Sequence, residues 1–126
     1  MPEILHNLSL AEFKTQLSTL PKDHIIVVRF TAEWCGPCQT INGECDHFFA
    51  NCNDKILPIV IDIEESIDLY VAMKRYKMIN GIPVLFAYYG NGLQEQWYVP
   101  NASVVGGNKN NLIKFFNQCT MHVTKS

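Results

Sequence analysis

Basic clusters, long apolar runs and repeats are all missing from this sequence. Ten Lys/Arg stand against twelve Asp/Glu, for a formal net charge of −2. With no local surplus of positive charge, nucleic-acid binding through a basic face is excluded. No apolar stretch approaches the roughly 18 residues that a membrane span requires. The N-terminus, MPEILHNLSL, carries Pro2 and Glu3 and no basic segment leading into an apolar run, so it does not read as a secretory signal. The expectation is a soluble protein that stays where it is translated, with no membrane partner. Five cysteines are an odd number and too few for a disulfide-built scaffold, which makes the reducing cytoplasm the expected compartment. There is one C-x-x-C and no second, and His6, His24, His47 and His122 lack knuckle spacing, so a zinc site is not expected. With no linker or low-complexity tract, residues 1–126 read as a single domain, long enough to bury a core.

What is present alternates between two periods. EILHNL (3–8) reads as a short strand; Ser9 with Glu12 forms a capping-box pattern for a helix over 10–19. HIIVVRF (24–30) is a β-branched run suited to a strand buried on both faces. From 35 to 52, Cys38, Ile41, Cys45, Phe48, Phe49 and Cys52 recur at helical steps of three and four. KILPIVIDI (55–63) reads as a buried strand with Pro58 near its start, and 65–76 as a helix offering Ile67, Leu69, Val71 and Met73. IPVLFAYY (82–89) and LQEQWYV (93–99) flank Gly90-Asn91-Gly92, a hairpin signal. Residues 110–119 read as an amphipathic helix with Leu112, Ile113, Phe115 and Phe116. The order β-α-β-α-β-α-β-β-α predicts an α/β fold, a mixed central sheet with helices on both faces.

The chemistry concentrates in WCGPC, residues 34–38. It follows the central strand and opens the long helix, where open α/β sheets place their sites. Cys35 falls at the helix N-terminus, whose unpaired N–H groups and dipole stabilise a thiolate. Gly36 permits a tight turn, and Pro37 fixes φ where a missing N–H costs little. Cys38, inside the first turn, is the more shielded. Cys35 is therefore the candidate nucleophile toward a disulfide and Cys38 the resolving thiol, with Trp34 covering the pair. Half of a metal site, and a redox-inert interaction module, are the competing readings.

At these residues the sequence resembles thioredoxins. AEWCGPC (32–38) matches that family's active-site motif, and Gly81-Ile82-Pro83 before an apolar strand is similar to its cis-proline loop. Val105-Gly106 matches a third loop, whose small residue lets a partner approach, and Asp62 and the 93–99 segment also fall where thioredoxins carry similar residues. The resemblance implies a thioredoxin-like fold, a redox-active Cys35–Cys38 disulfide, and dithiol–disulfide exchange that reduces protein disulfides. Trp34, Ile82, Pro83, Val105 and Gly106 would contact substrate, and Ile82 backbone would pair with an extended substrate strand. No metal or organic cofactor is implied; the electrons sit on the cysteine pair and would be refilled by a flavin-dependent thioredoxin reductase or a similar donor.

The departures from the family are specific. Arg29 stands where thioredoxins bury an acid that handles the proton of the second cysteine, and Pro58 where they place its lysine partner. Gln39 replaces a basic residue, and Gly43 replaces the proline that kinks the active-site helix. A buried arginine needs compensation. Glu44 is the expected partner; the alternative is that Arg29 snorkels to a sheet end. An uncompensated Arg29 would favour thiolates and shift the pair toward oxidation or isomerisation. Cys45, Cys52 and Cys119 read as core packing, His47 as a surface residue, Trp97 as sheet packing, and Tyr88 and Tyr89 as facing opposite sides of their strand.

Overall fold

The computed structural model describes residues 3–125. The strands are β1 (Leu5–His6), β2 (Ile25–Thr31), β3 (Ile56–Asp62), β4 (Val84–Tyr89) and β5 (Ala102–Val105). The helices are α1 (Leu10–Ser18), α2 (Gly36–Thr40), α3 (Asn42–Asn51), α4 (Ile67–Arg75) and α5 (Lys109–Thr124). The sheet runs β1-β3-β2-β4-β5. β1 and β2 pair with β3 in parallel, whereas β4 pairs antiparallel with β2 and β5. The expected mixed α/β architecture is what forms.

Two-residue alternation along β2 divides the core. Ile26, Val28 and Phe30 join Phe13, Leu17, Leu69 and Met73 on the face covered by α1 and α4. Ile25 and Val27 join Ile41, Cys45, Phe49, Leu112, Phe115 and Phe116 on the face covered by α3 and α5. Each fully buried Ile or Phe contributes about 1.5–3 kcal/mol, so the β-branched run in β2 is a principal source of stability. The same parity places Arg29 on the α3/α5 face. Tyr88 and Tyr89 do face opposite sides: Tyr88 packs edge-on against Phe13, and Tyr89 stacks on His122.

The α1 capping box forms as expected, with Ser9 Oγ accepting from the Glu12 N–H and the Glu12 carboxylate accepting from the Ser9 N–H. Pro58 sits opposite Val27 without interrupting the β2 ladder. Val60 accepts from Asn7 N–H and Asp62 donates to Asn7, so even-numbered residues of β3 face the β1 side. β1 starts opposite Ile59, and the missing N–H of Pro58 therefore points beyond its end.

Four expectations need correction. The first strand shrinks to two residues. The long helix divides at Ile41, which caps α2 and precedes α3. Residues 93–99 form no strand; the partner of β4 is Ala102–Val105, reached by an irregular connection. Within that connection Trp97 packs edge-on against Phe13, Tyr98 stacks on Tyr76, and the Tyr98 carbonyl accepts from Tyr88 O–H. Its apolar residues anchor a loop, and that is why they imitate a strand. Finally, α4 buries only Leu69 and Met73, and α5 leaves Ile113 exposed, because a single helix face meets the sheet.

Candidate active site

β2 ends at Thr31, and the chain turns through Ala32–Trp34 into α2 at the C-terminal edge of the sheet. Cys35 is the N-cap of α2, and its sulfur accepts from the Cys38 N–H at 3.2 Å. Pro37 occupies the first turn, where its fixed φ suits the helix. A disulfide joins Cys35 and Cys38, whose Cα atoms lie 5.2 Å apart. Cys35 keeps 5% of its surface exposed and Cys38 none, so the asymmetry expected from the motif is present.

Three loops meet there. The Ile82–Pro83 peptide is cis, and the Ile82 carbonyl lies 3.7 Å from the Cys35 sulfur. Gly106 donates its N–H to the Pro83 carbonyl at 2.9 Å with φ of +92°, a conformation that favours glycine. Val105 beside it is 64% exposed, and Trp34 is 66% exposed. The Trp34 indole N–H donates to the Glu64 carboxylate at 2.8 Å, which fixes the ring beside the pair. Trp34, Ile82, Pro83, Val105 and Gly106 are thus brought onto one edge of the molecule. Asp62 ends β3 and accepts from the Glu64 N–H.

Arg29 departs from expectation. It is 3% exposed and does not reach a sheet end. One terminal guanidinium nitrogen donates to the Cys38 carbonyl at 2.8 Å and to Asn42 Oδ1 at 2.6 Å. Glu44 pairs instead with Lys109 of α5 at 3.4 Å, and its carboxyl is held below the usual range chiefly by a backbone N–H it accepts from, with Lys109 adding to the effect. Among the described residues no carboxylate pairs with Arg29, and its Nε has no partner. The guanidinium enters the break between α2 and α3, where it donates to the Cys38 carbonyl of α2. That insertion accounts for the kink, which lies at Ile41 and not at Gly43. Asn42 Nδ2 in turn donates to Gln39 Oε1, and Gln39 to the Ala32 carbonyl, so a polar chain runs from Arg29 to the surface. Asn42 was not singled out from sequence; its place four residues after Cys38, on the same helical side, is the signal that points to it. Glu64 carries no such signal, because the loop that brings it to Trp34 follows a different strand.

The remaining cysteines are free and buried. Burial pushes the Cys45 thiol up to about 11 despite the opposing charge of Arg29. Burial likewise raises Cys119 to about 12, and raises Cys52. His47 lies exposed on α3 beside Asn51. Among the described residues no group of three or more His, Cys, Asp or Glu could hold a metal, and no helix is long and apolar enough to cross a membrane.

A five-stranded mixed sheet carrying a C-x-x-C at its edge beside a cis-proline defines the thioredoxin class of folds. The thioredoxin of Malassezia sympodialis superposes with a TM-score of 0.70 at 20% identity, covering 95% of this chain and 96% of that one. That of Plasmodium falciparum superposes at 0.69 with 22% identity, covering 90% and 97%. The family model for thioredoxin matches residues 4–118, and the chain belongs to the thioredoxin family. Thioredoxin of Geodia cydonium is 32% identical over 84 residues, 67% of this chain and 74% of that protein. Thioredoxin-T of Drosophila melanogaster is 29% identical over 76 residues, 56% of this chain. The chain spans about half the length of the first such relatives it matches, 48% of Thioredoxin-T and 46% of thioredoxin H8 of Arabidopsis thaliana.

Proposed function

We propose that residues 1–126 work as one domain whose activity is thiol–disulfide exchange with protein substrates, most directly the reduction of their disulfides. The observation that carries this reading is the position of Cys35, at the N-cap of α2, 3.7 Å from the Ile82 carbonyl, and with a small accessible surface that Cys38 lacks. The Cys35 thiolate attacks one substrate sulfur, the substrate S–S bond breaks, and the departing thiolate takes a proton from solvent. Cys38 then attacks the Cys35 sulfur, releases the second substrate thiolate and closes the Cys35–Cys38 disulfide. Two electrons pass from the pair to the substrate. Free backbone of Ile82 would receive an extended substrate segment, with Trp34, Pro83, Val105 and Gly106 around it.

The electrons require no cofactor on this chain; a thioredoxin reductase or similar dithiol donor would restore the pair, and a reducing compartment such as the cytoplasm suits that cycle. A second reading, exchange in the oxidising or isomerising direction, is favoured by Arg29, which lies buried without a carboxylate. The test is dithiothreitol-driven reduction of insulin disulfides. Wild type should accelerate it, and Cys35→Ser should fall to the uncatalysed rate. Equal rates for the two proteins would refute the assignment.

A further inference from the structure

Arg29 introduces a full positive charge into the interior, and its surroundings supply only neutral dipoles. The Cys38 carbonyl and the Asn42 amide oxygen accept its hydrogen bonds, and its Nε is left without a partner. An internal charge in that state is costly, and a thiolate on Cys38, whose backbone carbonyl the guanidinium already binds, is an anion that would compensate it. The guanidinium is hydrogen-bonded to the backbone of Cys38, the buried cysteine. Its field extends along the helix as far as Cys45, where it opposes the effect of burial.

The other charged groups on the surrounding elements do not offset it. Glu44 on α3 and Lys109 on α5 neutralise each other, and Asp46 also lies on α3. Asp62 and Glu64 lie at the end of β3, with Glu64 engaged by Trp34, and Glu33 precedes that tryptophan. Cys45, Cys52 and Cys119, the other cysteines buried on this face, are held toward the protonated form by burial.

We propose that Arg29 is the positioning residue that sets the thiolate balance of the pair: it compensates a thiolate on the reduced cysteines and so favours the dithiol over the disulfide. The proposal rests on the disulfide-exchange reading above. In the disulfide the pair is neutral and Arg29 is uncompensated; on reduction a thiolate forms within its field, and that difference pulls the equilibrium toward reduction. Arg29 cannot take a proton, so the proton that leaves Cys38 when its thiolate forms passes to solvent, and the fixed cation stabilises the anion left behind.

The test follows the reaction in which the protein disulfide plus two glutathione thiols gives the protein dithiol plus one glutathione disulfide. Arg29→Gln keeps N–H donors and removes the charge, and Arg29→Lys keeps the charge. Arg29→Gln should lower the equilibrium constant about tenfold, equivalent to about 30 mV, while Arg29→Lys stays within about threefold of wild type. The pH profile of iodoacetamide alkylation should move its midpoint upward in Arg29→Gln alone. A folded Arg29→Gln protein with the wild-type constant and profile would overturn the proposal and leave Arg29 a helix cap. Should Arg29→Gln not fold, the wild-type profile decides. A midpoint at or above the free-cysteine value of about 8.5 overturns the proposal, and a midpoint well below it that Arg29→Lys retains supports it. Failure of the underlying reading looks different: no variant, wild type included, would exchange with glutathione.

Discussion

Three buried cysteines share the chain with the reactive pair, and burial separates their behaviour. Cys45 and Cys119 keep their protons far above neutral pH because the interior disfavours a thiolate. In the native protein Cys35 should therefore be the main site of reaction with alkylating agents after reduction. The same shifts fix a pH dependence. An unfolded thiol loses its proton near the free-cysteine value of about 8.5, whereas native Cys45 holds it to about 11 and Cys119 to about 12. Native structure thus binds more protons than the unfolded chain in that interval, and its stability must fall as pH rises from about 9. Burial of the Tyr88 phenol adds to the effect in the same direction. Urea midpoints at pH 8 and pH 10.5 check this: a lower midpoint at 10.5 is expected, and an equal or higher one contradicts it. At this scale the sequence was legible for the burial of Cys45 and Cys52, which follows from helical spacing, and of Cys119 at the end of its helix. It was misleading for Glu44, because Lys109 approaches it from α5, a contact between residues 65 positions apart that no local pattern encodes.

At the scale of elements, the connection between β4 and β5 shows where pattern reading fails. Gly90-Asn91-Gly92 carries the signal of a tight hairpin, and a turn does form there, with Gly92 N–H donating to the Tyr89 carbonyl. The strand return begins at Ala102 and not at Leu93, because Asn101 supplies by side chain what a continuous ladder would supply by backbone. Its Oδ1 accepts from Tyr89 N–H at 2.8 Å and its Nδ2 donates to the Gly92 carbonyl at 2.6 Å, while its own N–H reaches the Ala87 carbonyl. Asn101→Ala removes both side-chain bonds at a partly buried site and should destabilise by about 1–3 kcal/mol. Thermal or urea unfolding measures this, and an unchanged midpoint would show that solvent replaces the asparagine. The helix break at Ile41 has a similar origin. The apolar stripe runs unbroken from Cys38 to Cys52 and so predicts one helix, but the interruption comes from Arg29 on β2, outside the helix altogether.

For the whole molecule, the mixed sheet, the central place of β2 and the position of the pair at that strand's C-terminal end were readable, because β2 is a nearly uninterrupted apolar run and each of the first strands leads into a helix. The apolar stripes of α3 and α5 likewise found their face. The electrostatic setting of the site was not readable, since it depends on which side chains the fold brings to Arg29. Asn42 meets it, and Glu44, two residues further on, does not. The central claim is that Cys35 attacks substrate and Cys38 resolves, and the two roles predict different trapped species. Cys38→Ser, reduced and then mixed with a disulfide-bonded protein, should accumulate a mixed disulfide that peptide mass spectrometry maps to Cys35. Cys35→Ser treated identically should accumulate little, because Cys38 is shielded. A mixed disulfide that forms through Cys38, or none in either variant, would contradict the account.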